Sequence, residues 1–357
     1  MDRREFLKKT AMYGAALAFG GKVFADDDAA VSAAADVLAA VQIIDAHAHP
    51  DMDYTGIHWT DTSASYRYMK PFSMTSFFSA VGDNPFHRAS RGPTPFKFAK
   101  RQLDWWLNGI VKDKKVKLVL KISDIPTTSG DDGVPGAILA IEGGDAFEGS
   151  LDKIDEFYKM GVRMTTLVHY QNNEIGDIMA VYPGSDPGLF RGGLSDFGYK
   201  VIGRMEEIGM VVDVAHAGPA TFKDMLSVVT KPVIDSHTNP SSGTRESWRM
   251  RPRKEMEMVA RTGGVTCTWP IAYKTLPRKT LNDWAKEILV MKQHLGIEHV
   301  GLGSDGGGYL VNLVEGYRDS RDLGKLAEAM LEVGLSKEDV AAYMGGNVLR
   351  VLQTCIG

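Results

Sequence analysis

Short runs of β-branched and other apolar residues recur along the chain, each too short to be a buried helix and each followed by a stretch with helical spacing. Such runs lie at Val41 to Asp45, Val116 to Ile122, Ala137 to Ile141, Val162 to Val168, Met210 to Ala215, Pro232 to Asp235, Gly264 to Trp269 and His299 to Gly303. Between them, apolar positions fall on one helical face at Leu151, Ile154 and Tyr158, at Phe197, Val201, Met205 and Ile208, and at Trp284, Ile288, Met291 and Leu295. Strands that are apolar throughout are buried on both faces, and their alternation with amphipathic helices predicts an α/β fold of the (β/α)8 TIM barrel type rather than an open doubly wound sheet. A last helix, opened by Ser336 and Asp339 at capping-box spacing, is expected to pack the C-terminus against the barrel.

One connection is too long for a simple crossover. Pro50 to Lys115 holds Trp59, Tyr66, Phe72, Trp105 and Trp106 and shows no strand pattern, so it reads as a long helical insertion after strand 1, folded as a lid over the barrel mouth.

The first 25 residues follow another rule. Arg3 and Arg4 precede Phe6-Leu7-Lys8, an Ala/Gly-rich apolar run extends from Ala11 to Gly21, and Val23-Phe24-Ala25 offers a small-residue cleavage site. The run is about 10 residues long, well short of the roughly 20 a membrane-crossing helix needs. Residues 1–25 are therefore expected to be a twin-arginine-type signal that exports the folded protein to the periplasm or the exterior, without a permanent membrane span. Residues 26–357 are expected to form a single barrel domain.

Composition narrows the partners. A formal net charge of -4 gives no basic face for nucleic acid, which leaves a small-molecule substrate. The two cysteines, Cys267 and Cys355, impose no disulfide framework. Homo-oligomerisation is left open by the sequence.

Five of the nine histidines, His47, His49, His169, His216 and His237, stand at or just beyond the C-terminal end of an expected strand, the rim where barrel enzymes build their sites. His47 and His49 are two apart, so an extended strand points both imidazoles the same way; a pair of capped core histidines has the same spacing. Glu142 emerges from the apolar run Ala137 to Ile141 and needs compensation, either by two cations that it bridges or by a barrel arginine. His216 and His237, on neighbouring strands, look like ligands of a second metal. Asp305 ends the eighth run, placed either as general base toward a metal-bound water or as a turn aspartate. Gly301, Gly303 and Gly306 formally match a dinucleotide fingerprint, but no good helix former follows at once; they suit a close backbone approach to the site better.

Together, Ala140-Ile141-Glu142-Gly143-Gly144, Gly161-Val162-Arg163 leading to His169, Asp213-Val214-Ala215-His216, Pro232-Val233-Ile234 leading to Ser236-His237, and Gly346-Asn347-Val348-Leu349-Arg350-Val351 resemble the membrane (renal) dipeptidase family of zinc metallopeptidases, in the amidohydrolase superfamily. The resemblance covers nearly all of residues 26–357. It implies two Zn2+ ions bridged by Glu142, one also held by His47 and His49 and the other by His216 and His237. It makes His169 a substrate and oxyanion contact and Arg249 the partner of a substrate carboxylate, with Arg245, Arg251 and Arg253 close by in sequence. The implied reaction is hydrolysis of a dipeptide by a hydroxide bridging the two metals, with Asp305 moving the proton. The chain departs from the family at His47-x-His49, where the family carries His-x-Asp. Imidazole for carboxylate makes the site more positive by one unit, which bears on substrate choice. Two rival readings are another amidohydrolase reaction, on an N-acyl amino acid, lactone or cyclic amide, and an exported solute- or metal-binding protein without turnover.

Overall fold

The computed structural model describes residues 33–51, 65–82, 93–127, 133–179, 190–243, 249–272, 277–308 and 312–357. The expected export signal, His58, Trp59, His87 and Arg245 lie outside the described residues.

Eight parallel strands form the expected barrel: β1 (Ile44–Ala48), β2 (Thr75–Val81), β4 (Gly136–Glu142), β5 (Val162–Thr166), β6 (Val211–Asp213), β7 (Ile234–Thr238), β8 (Val265–Thr268) and β9 (Val300–Leu302). A two-residue strand, β3 (Lys117–Leu118), pairs only with β4. The second barrel strand is thus not the Val116 to Ile122 run but Thr75–Val81, inside the segment expected to be helix and lid. Its sequence, Thr-Ser-Phe-Phe-Ser-Ala-Val, is interrupted by hydroxyls and so does not read as an apolar run, yet every residue of it is buried. The Val116 run has another use. β3 pairs with Gly136 and Ala137 at the foot of β4, and β5 takes over the same edge from Leu139 upward.

The helices over Leu151–Met160, Asp196–Ile208 and Leu281–Leu295 form where the apolar spacing puts them, with Ile154, Val201, Met205, Trp284, Ile288 and Met291 buried against the barrel. The insertion contributes one long helix, Pro95–Trp106, whose Trp106 indole donates to the Pro50 carbonyl at 2.9 Å and pins the chain just past His49.

Two large apolar clusters follow from this architecture, beside a small one of Met250, Trp269 and Ile271. One lies between strands and outer helices; the other fills the barrel, where Ile44, Ile138, Met164, Val211, Ile234 and Val265 meet Val348, Val351 and Leu352 of the final helix, Asn347–Cys355. That helix closes the end of the barrel opposite the histidines. The expected capping box is present: Ser336 Oγ accepts from Asp339 N at 3.2 Å and Asp339 Oδ2 accepts from Ser336 N at 2.7 Å. The helix that it opens breaks at Gly345, where a Cβ would stand 2.1 Å from the Gln42 carbonyl oxygen; only glycine lets the helix pass the entry to β1. Cys267 and Cys355 are both free and buried.

The barrel closes between β9 and β1 at one end only. His49 N donates to Gly306 O at 2.7 Å and Asp305 N to His47 O at 2.8 Å, so the seam is made by the backbone of the candidate site residues themselves.

Candidate metal centre

Two strands carry an extra residue where they deliver histidine. Asp45 to Ala48 on β1 spans three residues against two on β2, and Asp235 to Thr238 on β7 spans three against two on β8. Bulges of this kind turn a side chain off the strict alternation and are frequent beside active sites. Two other candidates sit in left-handed backbone: His216 with φ 64° and Asp305 with φ 50°. Each such residue other than glycine costs on the order of 1–3 kcal/mol, which the surrounding contacts must hold in place. Close approach is built in as well, since a Cβ on Gly303 would lie 1.8 Å from the Ser236 carbonyl oxygen.

The five imidazoles converge on one buried carboxylate. Glu142 Oε1 lies 3.4 Å from Nε2 of His47, His169 and His237 and 3.2 Å from that of His216, while Oε2 lies 3.4 Å from His49 Nε2. His47 Nε2 and His49 Nε2 are 3.2 Å apart, and His216 Nε2 and His237 Nε2 3.0 Å apart. Asp305 Oδ1 completes the ring at 3.4 Å from His49 Nε2. Two donors bound at zinc's usual 2.0–2.1 Å in a tetrahedron stand about 3.3 Å from each other, so these separations are those of ligands sharing an ion.

The tautomers point the same way. His49 Nδ1 donates to the Ser79 carbonyl at 2.7 Å, leaving Nε2 to face the centre. Ser236 Oγ donates to Asp213 Oδ2 at 2.6 Å and so accepts from His237 Nδ1 at 2.8 Å, again leaving Nε2 inward. With Nδ1 of His49 and His237 so engaged, their Nε2 atoms stand at hydrogen-bond distance from a neighbouring imidazole nitrogen, an arrangement that a shared cation satisfies. The donor set therefore fits a metal. His47, His49 and Glu142 form one compact group and Glu142, His169 and His216 another, with Glu142 common to both.

His169 thus comes as near the carboxylate as His237 does, although the resemblance assigned it to substrate. Its loop is anchored by Asp145, which accepts from Gln171 Nε2 at 3.1 Å and Asn173 Nδ2 at 2.9 Å. The arginines separate clearly. Arg249 is buried, donates to His237 O at 3.1 Å, stacks 5.4 Å from the Trp269 ring and has no carboxylate within 4 Å among the described residues. Arg251 is consumed by an ion pair with Asp235, and Arg253 opens a helix with its side chain exposed.

Residue-type reasoning missed the supports. Asp213 accepts from Ala215 N, Ser236 N, Thr166 Oγ1 and Ser236 Oγ, and burial pushes its pKa up from the usual carboxylate value. Asp45 accepts from Ser304 N at 2.7 Å and from His47 N at 3.2 Å; burial outweighs these bonds and raises it to about 6. The signal was present in Asp45-x-His47, Asp213-x-x-His216 and Asp235-x-His237, an aspartate shortly before each of these three strand-end histidines.

In the metal-free protein, burial opposes the His49 imidazolium, but hydrogen bonds and charge from Asp305 and Glu142 outweigh it and hold its pKa up at about 10. Burial, with Arg249 beside His216 and His47 beside His237, keeps those two well below the ordinary value. Because the folded His49 pKa lies above its unfolded 6.5, its contribution to stability is complete below 6.5 and is lost as pH rises through about 10. Chelator-treated protein is expected to lose Tm between pH 7 and 10, and the His49→Gln variant to lose less over the same range. Parallel Tm curves for the two proteins would contradict this.

A model of the family described as membrane dipeptidase (peptidase family M19) matches residues 31–355. Dipeptidase verJ of Clonostachys rogersoniana is 32% identical over 219 residues, 61% of this chain and 55% of the relative. Dipeptidase aclJ of Aspergillus oryzae is 31% identical over 225 residues, 60% and 50% of the two chains. The chain spans about half the length of these curated relatives. Among solved structures, an amidohydrolase from Pseudomonas aeruginosa superposes with a TM-score of 0.73 at 22% identity, covering 90% of this chain and 98% of that one. A metallo peptidase from Rhodobacter sphaeroides, liganded with a phosphinate mimic of the dipeptide L-Ala-D-Ala, gives 0.74 at 18% identity, covering 88% and 99%. At such identities these two show the fold.

Proposed function

Since the chain belongs to the membrane dipeptidase family, peptidase family M19, we propose that it is a zinc-dependent dipeptidase holding two ions on ligand sets that share Glu142. The observation that carries this reading is the convergence of five imidazole Nε2 atoms on that one buried carboxylate, with Asp305 beside it. His47, His49 and Glu142 hold the first ion; Glu142, His216 and His237 hold the second. When bound, the ions supply a water of lowered pKa and polarise the scissile carbonyl. Asp305 takes the proton of the attacking water and returns it to the leaving amine. His169 turns its Nε2 edge to the developing oxyanion.

Arg249 fixes the substrate carboxylate. Among the described residues the buried guanidinium has no carboxylate within 4 Å, the charges of Asp235, Glu142 and Asp305 acting only at longer range, and a ligand carboxylate supplies a direct partner. A charge-assisted hydrogen bond contributes about 1.5–3 kcal/mol. Arg249→Met is therefore expected to raise KM for a dipeptide by roughly 10- to 100-fold with a smaller change in kcat, and to leave the C-terminal amide of the same dipeptide unaffected. Equal effects on acid and amide would assign Arg249 to structure alone.

The whole reading is tested by metal analysis of purified protein beside assays on a dipeptide library, N-acyl amino acids, lactones and cyclic amides. Two ions per chain with hydrolysis of dipeptides is the expected outcome; metal without hydrolysis of any of them would favour a binding protein. Export by the twin-arginine-type segment at residues 1–25 belongs to the same proposal and is checked by N-terminal sequencing of secreted material.

A further inference from the structure

We infer that Arg251 is a positioning residue for the second metal, tying His216 and His237 to one another through a single buried guanidinium. The inference rests on the two-metal reading above. His216 is the third residue of the turn Val214 to Ala217, closed by Ala217 N donating to Val214 O at 3.3 Å; its φ of 64° is one that this turn position ordinarily asks of glycine. A histidine held there needs something to keep the turn from relaxing. Arg251 Nη2 donates to Val214 O at 3.0 Å and Nη1 to Ala217 O at 3.1 Å, gripping both ends of the turn.

The same guanidinium reaches the other histidine. Arg251 Nε donates to Asp235 Oδ2 at 3.0 Å, and Asp235 sits on β7 two residues before His237, at the start of the bulge. The remaining bonds fix Arg251 itself: Nη1 reaches Glu255 Oε2 at 3.0 Å, the guanidinium lies 4.1 Å over the Phe222 ring, and its backbone is locked by Arg251 N donating to Asn239 O at 2.9 Å and Ser241 N to Arg251 O. The side chain is fully buried and touches neither Glu142 nor the first-metal pair through any of these bonds. Planarity matters: a fork that spans two carbonyls and a carboxylate cannot be reproduced by the single nitrogen of lysine. Arg251 thus sets the spacing of the His216 and His237 Nε2 atoms without a hydrogen bond to either imidazole or to Glu142.

The test counts zinc per chain, measures the affinity of each ion by chelator competition, and records the absorption spectrum of cobalt-substituted protein. Two variants are used. Arg251→Lys keeps the charge opposite Asp235 but loses the grip on the turn, and Asp235→Asn with Arg251→Met removes both charges together, so that neither is left buried alone. In each folded variant the first ion is expected to bind as in the wild type, while the second weakens by about 10- to 100-fold, as for other residues that orient metal ligands, with a changed cobalt spectrum for that site only. Arg251→Lys carries the test if the double variant does not fold. Retention of both ions at wild-type affinity would overturn the inference, as would equal weakening of the two, which marks a general structural role. Wild-type protein that binds fewer than two ions would overturn the two-metal reading instead, a result visible before any variant is made.

Discussion

Glu142→Gln is expected to lower metal content from two ions to at most one and to reduce kcat/KM by about 10²- to 10⁴-fold. The substitution keeps shape and removes charge. Burial works to raise the Glu142 pKa, yet His169 and His47, together with hydrogen bonds from His216 and His237, hold it well below the ordinary carboxylate value, so the group is ionised and its charge is what the histidines gather round. Removing one member of a buried charged cluster costs about 3–5 kcal/mol, which converts at 1.4 kcal/mol per tenfold to the range given. Mass spectrometry of bound metal and dipeptide hydrolysis rates check the two parts separately. Two ions retained with full activity would show that neither depends on the shared carboxylate.

Asp305→Asn is expected to behave differently: kcat down by roughly 10²- to 10⁴-fold, the loss ascribed to a positioned general base, with both ions kept and KM within a few-fold. Asparagine is the substitution of choice because it tolerates the left-handed conformation of residue 305 and adds no backbone strain. Burial favours a neutral Asp305, but the hydrogen bond from His49 and the charges of His237, His47 and His49 prevail and lower its pKa. A variant that loses the first ion along with its turnover would make Asp305 a ligand, as its 3.4 Å approach to His49 Nε2 allows.

The barrel and its rim histidines were legible because both leave a periodic trace: parallel strands are apolar throughout, and their ends carry the only regularly placed imidazoles. β2 left no such trace. Its hydroxyls are there to serve the site, Ser79 accepting from His49 Nδ1 through its carbonyl and standing 3.2 Å from His47 Nδ1 through its Oγ, so the demands of the metal centre erased the hydrophobic signal of the strand. The Val116 run erred in the opposite direction, since its alternation is genuine but supports β4 from below. Arg251 could not be told from Arg249 by sequence, for both are arginines two positions apart; what separates them is that one meets Asp235 and the other has no carboxylate within 4 Å among the described residues.

The seam between β9 and β1 has a consequence for how the protein matures. Ser304 reaches back across 259 residues of chain to Asp45, and the neighbouring backbone bonds of His47, His49 and Asp305 are what shut the barrel. Contacts so distant in sequence form late in folding, because the entropy of closing the loop is met before any of them is gained. A partly folded chain can therefore own the strands from β1 to β7 with their histidines before it owns Asp305 in position. Asp305 is then set against the His47 and His49 pair only by the event that finishes the fold, whereas that pair is already held by β2 through Ser79.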